Sequence, residues 1–327
     1  MNEFALGITR LAWFCVVLAA AANGVFAQSY PSKPIHIVVP FPAGGPNDIR
    51  ARVIGEKLTR SWGQQVVVEG KPGADGGIGA ELVAKAAPDG YTLLVNTPGI
   101  AVVNPVLYKK LRYDPLEDFE HITQLVTTTI VLVVNPSLPV RSVKELIALA
   151  RSKPNQLNYA TSASVFYLIT EMFKLRTGIE MVYIPYKGST PAITAVIAGE
   201  ITVMFDPILS LLPQIKANKA RAIAVASAAR SLTLPDVPTM LESGVPDFEV
   251  STWAGISAPA GTPREIVTKL NAEIVKIIRM PEVKDLLESG GDTIVGSTPE
   301  DFTAFIKAEL TKFRNVVKDA SIPRIDQ

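Results

Sequence analysis

The sequence predicts an α/β fold with two lobes. Strand-like and helical stretches alternate along the whole chain, which is typical of mainly parallel sheets with crossover helices. About 300 residues follow a leader-like N-terminal segment, and a chain of this length can form two separate cores. No repeat or low-complexity linker divides the chain, so we expect strands to join the lobes.

Short runs rich in β-branched residues mark the strands, and apolar residues at a spacing near 3.6 mark the helices. The predicted strands are 34–40, 65–69, 91–95, 129–135, 157–160, 181–185, 201–205, 221–226 and 254–258. The predicted helices are 48–61, 77–86, 142–151, 165–176, 191–198, 264–278, 282–289 and 299–318. A capping residue followed by proline marks two helix starts, at Thr190-Pro191 and Thr298-Pro299.

Two extended segments are suited to cross between the lobes, namely 127–130, inside a long β-rich run, and 250–253. We therefore expect a discontinuous first domain formed by 28–128 plus 253–327, with 129–252 inserted as the second domain. Two strands of this kind would act as a hinge, because extended backbone absorbs small changes in φ and ψ.

The N-terminal segment 1–27 resembles a signal peptide. Arg10 precedes an apolar run over 11–22, and Val25-Phe26-Ala27 has small residues where a signal peptidase cleaves. We expect cleavage after Ala27 and export as a soluble protein, because the apolar run is short for a membrane span. Cys15, the one cysteine of the sequence, would leave with this segment.

The composition and the titratable residues exclude several function classes. Lys and Arg number 32 against 31 Asp and Glu, a balance that argues against a nucleic-acid or polybasic membrane surface. Without cysteine or paired histidines, a zinc or thiol site is not expected. We interpret His36 and His121 as structural, and the glycines of 73–79 lack the dinucleotide-binding spacing. No catalytic residue, metal or cofactor is predicted.

The stretch 35–50 is the most informative in the chain. It predicts a buried strand, a glycine-proline loop, and a helix capped by Asn47 or Asp48. Backbone N–H groups at a helix start carry about half a positive charge, so such a loop can hold a small anion. The same pattern also suits a turn that only starts a helix.

Seven short motifs, in order, carry a resemblance to a known family. They are VPFPAGG at 39–45, VVVEGKPGA at 66–74, APDGYTLL at 87–94, PYKGS at 185–189, VMFD at 203–206, LPDVPT at 234–239 and APAGTP at 258–263. The chain resembles the periplasmic substrate-binding proteins of tripartite tricarboxylate transporters, the Bug family. The resemblance implies a two-lobed, type II periplasmic binding protein with two mixed, mainly parallel sheets joined by two hinge strands.

The resemblance also implies that a substrate carboxylate is held in the interlobe cleft, partly through ordered waters. It assigns the following residues to ligand binding: Phe41, Pro42, Ala43, Gly44, Asn47 and Asp48 in the first loop, Thr97 after the third strand, Thr161, Ser162, Ala163 and Ser164 in the facing loop, and Asp206. From the residues alone, Asp48 is better suited to cap the helix or brace the loop, and Asp206 suits either a cleft contact or a loop brace.

The second loop departs from the family pattern. Phe166 and Tyr167 stand where members commonly have small polar and histidine residues, and the loop is about two residues shorter. One of this pair is expected to contact the ligand, because adjacent helical residues point about 100° apart. The added apolar area predicts an aromatic carboxylate or a longer aliphatic dicarboxylate rather than citrate or aspartate.

These observations predict a periplasmic, monomeric solute-binding protein that delivers a small organic carboxylate to membrane transporter subunits. Presentation of the closed protein to a membrane sensor kinase is a rival interpretation that the sequence leaves open. A hydrolase of similar architecture, with Ser162 or Ser164 as nucleophile, is the second rival.

Overall fold

The structure is a computed structural model that describes residues 30–186 and 188–326, so the predicted signal peptide lies outside the described residues. Its strands are β1 Ile35–Val39, β2 Val66–Gly70, β3 Thr92–Asn96, β4 Phe119–Val134, β5 Asn158–Thr161, β6 Val182–Pro185, β7 Val203–Pro207, β8 Arg221–Val225, β9 Ser251–Pro259 and β10 Asp292–Ile294. All nine predicted strands are present, and the short β10 was not predicted.

Helices separate most of these strands. They are α1 Pro46–Trp62, α2 Gly77–Ala84, α3 Asn104–Leu107, α4 Val143–Ser152, α5 Ser164–Thr177, α6 Ser189–Ala198, α7 Ile208–Lys216, α8 Arg264–Ile278, α9 Pro281–Ser289 and α10 Pro299–Asp319. A single π-helical turn, Gly99–Val103, leads directly into α3. Among these described helices, none combines the length and hydropathy that a membrane crossing requires.

The strands form two mixed sheets that share β4. The first sheet has the order β2-β1-β3-β9-β4, with β10 on the other side of β4, and the second contains β4, β7, β5 and β6, with β8 also paired to β4. The ladders with β1 and β5 are parallel, whereas every ladder formed by β4 or β9 is antiparallel. The parallel arrangement therefore holds for β2-β1-β3 of the first sheet and β7-β5-β6 of the second.

The long strand β4 is the main connection between the two sheets. It pairs with β9 of the first sheet from Phe119 to Thr129, and with β7 of the second sheet from Ile130 to Val134. The change of partner falls inside the segment 127–130 that was predicted to cross between lobes. The domain boundaries at 128/129 and 252/253 stay a prediction.

Helix α10 adds a second connection that the sequence did not indicate. Phe302, Ile306 and Phe313 on its buried face belong to the same apolar cluster as Tyr159 and Phe173 of the second sheet's layers. This packing fixes α10, which the sequence assigned to the first domain, to the apolar core of the second lobe, and separating them would expose buried aromatic surface.

Three predicted helix starts can be compared with the structure. Thr298 caps α10 through a hydrogen bond from the Asp301 N–H, as predicted. The prediction for α6 was wrong, because the cap is Gly188 (φ 100°) rather than Thr190. The cap of α1 is Gly45 rather than Asn47 or Asp48, because Pro46 occupies the first helical position.

A candidate ligand-binding cavity between the two lobes

A cavity of about 220 Å³ lies where the two sheets meet. Drug-sized ligands occupy pockets of roughly 300–1,000 Å³, so this volume suits a small ligand. Both lobes contribute to the walls. The lining residues are Phe41, Pro46, Asn47, Arg50, Asp75, Thr97, Pro98, Gly99, Thr128, Ala163, Ser164, Val165, Phe166, Pro207, Leu209, Ser210, Thr252, Trp253 and Gly290.

The first turns of four helical segments open on this cavity. Asn47 belongs to α1 and Gly99 to the π-helical turn, both in the first lobe, while Ser164 begins α5 and Ser210 lies in the first turn of α7. The N–H groups of a first turn have no intrahelical acceptor, and each helix start carries about half a positive charge. The walls therefore combine helix starts from both lobes, an arrangement that favours an anion.

The loop before α1 is held in shape by Asp48. Its Oδ2 accepts hydrogen bonds from the Gly44 N–H and from Arg52 Nε, each at 2.9 Å. The bond from Arg52 first, and then the bond from Gly44, hold the pKa of this carboxyl below its usual range. Gly44 has a φ of 79°, a backbone conformation that glycine adopts without strain. Asp48 thus acts as the loop brace that the residue pattern favoured.

The loop before α5 carries two serine contacts with different partners. Ser162 Oγ donates to Asp206 Oδ1 of the same lobe at 2.5 Å. Ser164 Oγ instead reaches across the cleft and donates to Asp75 Oδ2 of the first lobe at 2.8 Å. The loop is therefore tied both to its own lobe and to the opposite wall of the cavity.

Asp206 is the penultimate residue of β7 and is fully buried. Burial raises the pKa of its carboxyl to about 6, although the hydrogen bond from Ser162 opposes the rise. Pro207, the next residue, lines the cavity, whereas Asp206 itself does not. Of the two roles considered for Asp206, a loop brace or a cleft contact, the structure therefore favours the loop brace. Contact between Asp206 and a ligand stays a prediction.

Three aromatic side chains contribute to the apolar part of the wall: Phe41, Phe166 and Trp253. Trp253 packs edge-on against Phe302 with the ring centroids 5.3 Å apart. Tyr167 turns away from the cavity and packs against Tyr183, with ring centroids 4.8 Å apart. Of the pair Phe166 and Tyr167, the structure thus places Phe166 at the cavity.

Two buried polar atoms of the lining residues have no hydrogen-bond partner among the described residues, namely Thr97 Oγ1 and Trp253 Nε1. An unpaired buried donor or acceptor costs about 1–3 kcal/mol, so buried polar atoms are normally paired. Both atoms belong to residues that face the space a ligand would fill. An acceptor group in the ligand would satisfy either of them.

The structure brings together only part of the predicted site. Phe41, Asn47, Thr97, Ala163, Ser164 and Phe166 line the cavity. The remaining predicted residues lie outside its lining, and ligand contact by them stays a prediction. They are Pro42, Ala43, Gly44, Asp48, Thr161, Ser162, Tyr167 and Asp206.

Sequence reasoning missed several lining residues, among them Arg50, Asp75 and Ser210. Asp75 follows β2 and Ser210 follows β7, and ligand sites of α/β sheets gather where strands end. Thr128 and Trp253 belong to the predicted crossing segments, so their presence beside an interlobe cavity could also have been inferred.

Neither histidine of the sequence lines the cavity. His36 Nδ1 lies 2.6 Å from Glu69 Oε1. His121 is buried with Nδ1 3.0 Å from Ser257 Oγ, and burial lowers its pKa to about 4. Within the described residues, no group of three or more His, Cys, Asp or Glu side chains is arranged to hold a metal ion.

Comparison with known proteins places this geometry in a family. The profile described as "Tripartite tricarboxylate transporter family receptor" matches residues 50–322. The UPF0065 protein in the tcbD-tcbE intergenic region of Pseudomonas sp. strain P51 is 38% identical over 308 residues, which cover 92% of this chain and 91% of that protein. Protein BugT of Bordetella pertussis is 37% identical over 307 residues, or 93% and 94% of the two chains.

Two solved structures share the same fold. Rpa4515 of R. palustris, solved with adipate, has a TM-score of 0.80 and 36% identity over 90% of this chain and 100% of that chain. MatC from Rhodopseudomonas palustris, solved with bound malate, has a TM-score of 0.76 and 31% identity over 88% and 100%. The two-lobed periplasmic binding protein fold is thereby confirmed. The chain belongs to the tripartite tricarboxylate transporter receptor family, the Bug family of periplasmic binding proteins.

Proposed function

We propose that this protein is a periplasmic receptor that captures a small organic carboxylate between its lobes and delivers it to the membrane subunits of a tripartite tricarboxylate transporter. The observation that carries the proposal is the convergence of helix starts from both lobes on one cavity. A carboxylate that contacts both lobes binds the closed form more tightly than the open form, and this difference drives closure.

The walls favour an aromatic carboxylate or a longer aliphatic dicarboxylate. Phe41, Phe166 and Trp253 offer apolar surface on which a ring or an alkyl chain can pack. Burial of such surface contributes roughly 25 cal/mol per Å². The adipate and malate in the Rpa4515 and MatC structures support a carboxylate as the ligand class.

Calorimetry on the mature protein with citrate, adipate, benzoate and terephthalate tests the proposal. We expect adipate or an aromatic acid to bind more tightly than citrate, and the bound acid to raise the melting temperature. At a hundred times its dissociation constant a ligand adds about 2.7 kcal/mol to the free energy of unfolding. Tightest binding to citrate would contradict the ligand class, and failure of every acid would contradict the receptor function itself.

Delivery to a transporter needs a separate experiment. Cells that lack this protein should lose uptake of the labelled acid identified by calorimetry, and a plasmid copy should restore it. We further propose that the bound acid leaves unchanged, because a receptor of this kind binds without turnover. Release of the acid from its ester by the purified protein, abolished by Ser162→Ala or Ser164→Ala, would support the hydrolase interpretation instead.

A further inference from the structure

The carboxylate of Asp75 projects from the first lobe into the interlobe cavity. Asp75 and Ser164 both line the cavity, and Ser164 Oγ donates to Asp75 Oδ2 at 2.8 Å. Ser164 is the first residue of α5, whose start is one of the four directed at the cavity. A carboxylate of the protein itself is therefore bound to the first side chain of this helix at the cavity wall.

The backbone holds Asp75 in this position. Its φ and ψ are 50° and 39°, a left-handed conformation that aspartate and asparagine tolerate better than most residues. Its carbonyl oxygen accepts a hydrogen bond at 3.2 Å from Asn104 Nδ2, which is fully buried. The following Gly76 packs so tightly that an added Cβ would lie 2.9 Å from Ile100. The orientation of Asp75 is thus fixed from both sides.

The charge of Asp75 is not compensated in the described part of the chain. No lysine, arginine or histidine there forms an ion pair with it. Arg50, the cationic residue of the lining, is bound through two nitrogens to Asp292. The charged side chains around the cavity therefore leave one net negative charge at its wall.

We infer that Asp75 makes this receptor selective for ligands with a single carboxylate. This inference rests on the proposed function and narrows its ligand class. One ligand carboxylate can bind at the other helix starts, because none of the cavity-lining residues there is acidic. A second carboxylate near α5 would meet the like charge of the half-buried Asp75 at the cavity wall and would be repelled by it. An uncharged or hydrogen-bond-donating group at that end suits Asp75 instead.

Calorimetry with two matched pairs of acids tests the inference: benzoate against terephthalate, and hexanoate against adipate. The unmodified protein should bind the monocarboxylate of each pair more tightly. Asp75→Asn keeps the tolerance for left-handed backbone and an acceptor for Ser164, and removes only the charge. It should improve the affinity for the dicarboxylates relative to the monocarboxylates by about tenfold or more.

Asp236→Asn provides the control, because it removes one negative charge at an exposed position outside the cavity. It should leave the ratio of affinities unchanged. Tighter binding of the dicarboxylates by the unmodified protein, with the same ratio in Asp75→Asn, would overturn the inference. That result would still support a carboxylate receptor, whereas a protein that binds none of the four acids would contradict the proposed function. Circular dichroism on each variant verifies the fold.

Discussion

Arg50 and Asp292 form a two-point ion pair at the wall of the cavity, with Nη2 and Nε lying 2.5 and 2.8 Å from the two carboxylate oxygens. The Asp292 side chain is buried and that of Arg50 is only 11% exposed, and Thr128 Oγ1 also donates to Asp292. The pair ties the N-terminal part of α1 to β10, and through Thr128 to the crossing strand β4. The Asp292 carboxylate also neutralises the charge of the Arg50 guanidinium. We therefore expect a ligand carboxylate to be bound mainly by helix starts and neutral donors.

Replacement of Asp292 by Asn should strongly destabilise the protein. The change leaves the buried Arg50 cation without its counter-ion, and breaking one side of a buried pair typically costs about 3–5 kcal/mol. Urea denaturation, read as the free energy of unfolding, measures the effect. Glu300→Gln is the matched control, because it breaks the exposed pair with Arg264 and should have a far smaller effect. Equal losses of unfolding free energy in the two variants would show that the Arg50–Asp292 pair contributes no more to stability than an exposed pair.

The distance in sequence explains why this pair was not predicted. Arg50 and Asp292 are 242 residues apart, and Asp75 and Ser164 are 89 residues apart. Motifs and periodicity report local structure, so strand-loop-helix units such as 35–50 could be predicted. The pairing of loops across the cleft depends on how the two sheets pack against each other. This packing cannot be inferred from a local sequence motif.

Two of the four helix starts at the cavity were missed for a local reason. Helix α7 contains Pro213. The segment from Gly99 to Leu107 begins with a glycine and contains Pro105. Both residue types lower helix propensity, so the pattern did not indicate helices there. Burial against neighbouring elements stabilises these helices in the folded protein, which propensity alone does not capture.

Asp206→Asn should stabilise the protein, in a manner that depends on pH. Burial raises the pKa of Asp206 from 3.8 to about 6, so the unfolded state loses this proton at lower pH than the folded state. The carboxyl therefore lowers stability progressively as pH rises from about 4 to 6, by about 3 kcal/mol in total. The variant should match the unmodified protein near pH 4 and exceed it above pH 6.

Urea denaturation of both proteins at several pH values between 4 and 7.5 measures this difference. Ser162→Ala is informative in the same series, because it removes a hydrogen bond that lowers the pKa of Asp206 and should move the transition to higher pH. A variant Asp206→Asn that is less stable above pH 6 would show that a partner stabilises the ionised carboxylate.

Trp253→Phe should weaken ligand binding more than it weakens the fold. The indole Nε1 has no partner among the described residues and Trp253 lines the cavity, so a ligand carboxylate is the acceptor that we expect. A hydrogen bond to a charged group contributes about 1.5–3 kcal/mol, so the affinity should fall by at least tenfold. Trp62→Phe is the control, because Trp62 packs against Tyr30 away from the cavity. Calorimetry that finds equal affinities for both variants would exclude a direct role of the indole N–H.

The neighbours Phe166 and Tyr167 provide a paired test of the apolar wall. Phe166→Leu keeps an apolar side chain of similar size but removes the ring that lines the cavity. We expect it to reduce the affinity for benzoate more than that for hexanoate, because an aromatic pair contributes about 0.5–1.5 kcal/mol beyond burial. Tyr167→Phe keeps the contact with Tyr183 and should leave both affinities unchanged. If Tyr167→Phe alone weakened benzoate binding, Tyr167 rather than Phe166 would contact the ligand, and the loop before α5 would have to rearrange on closure.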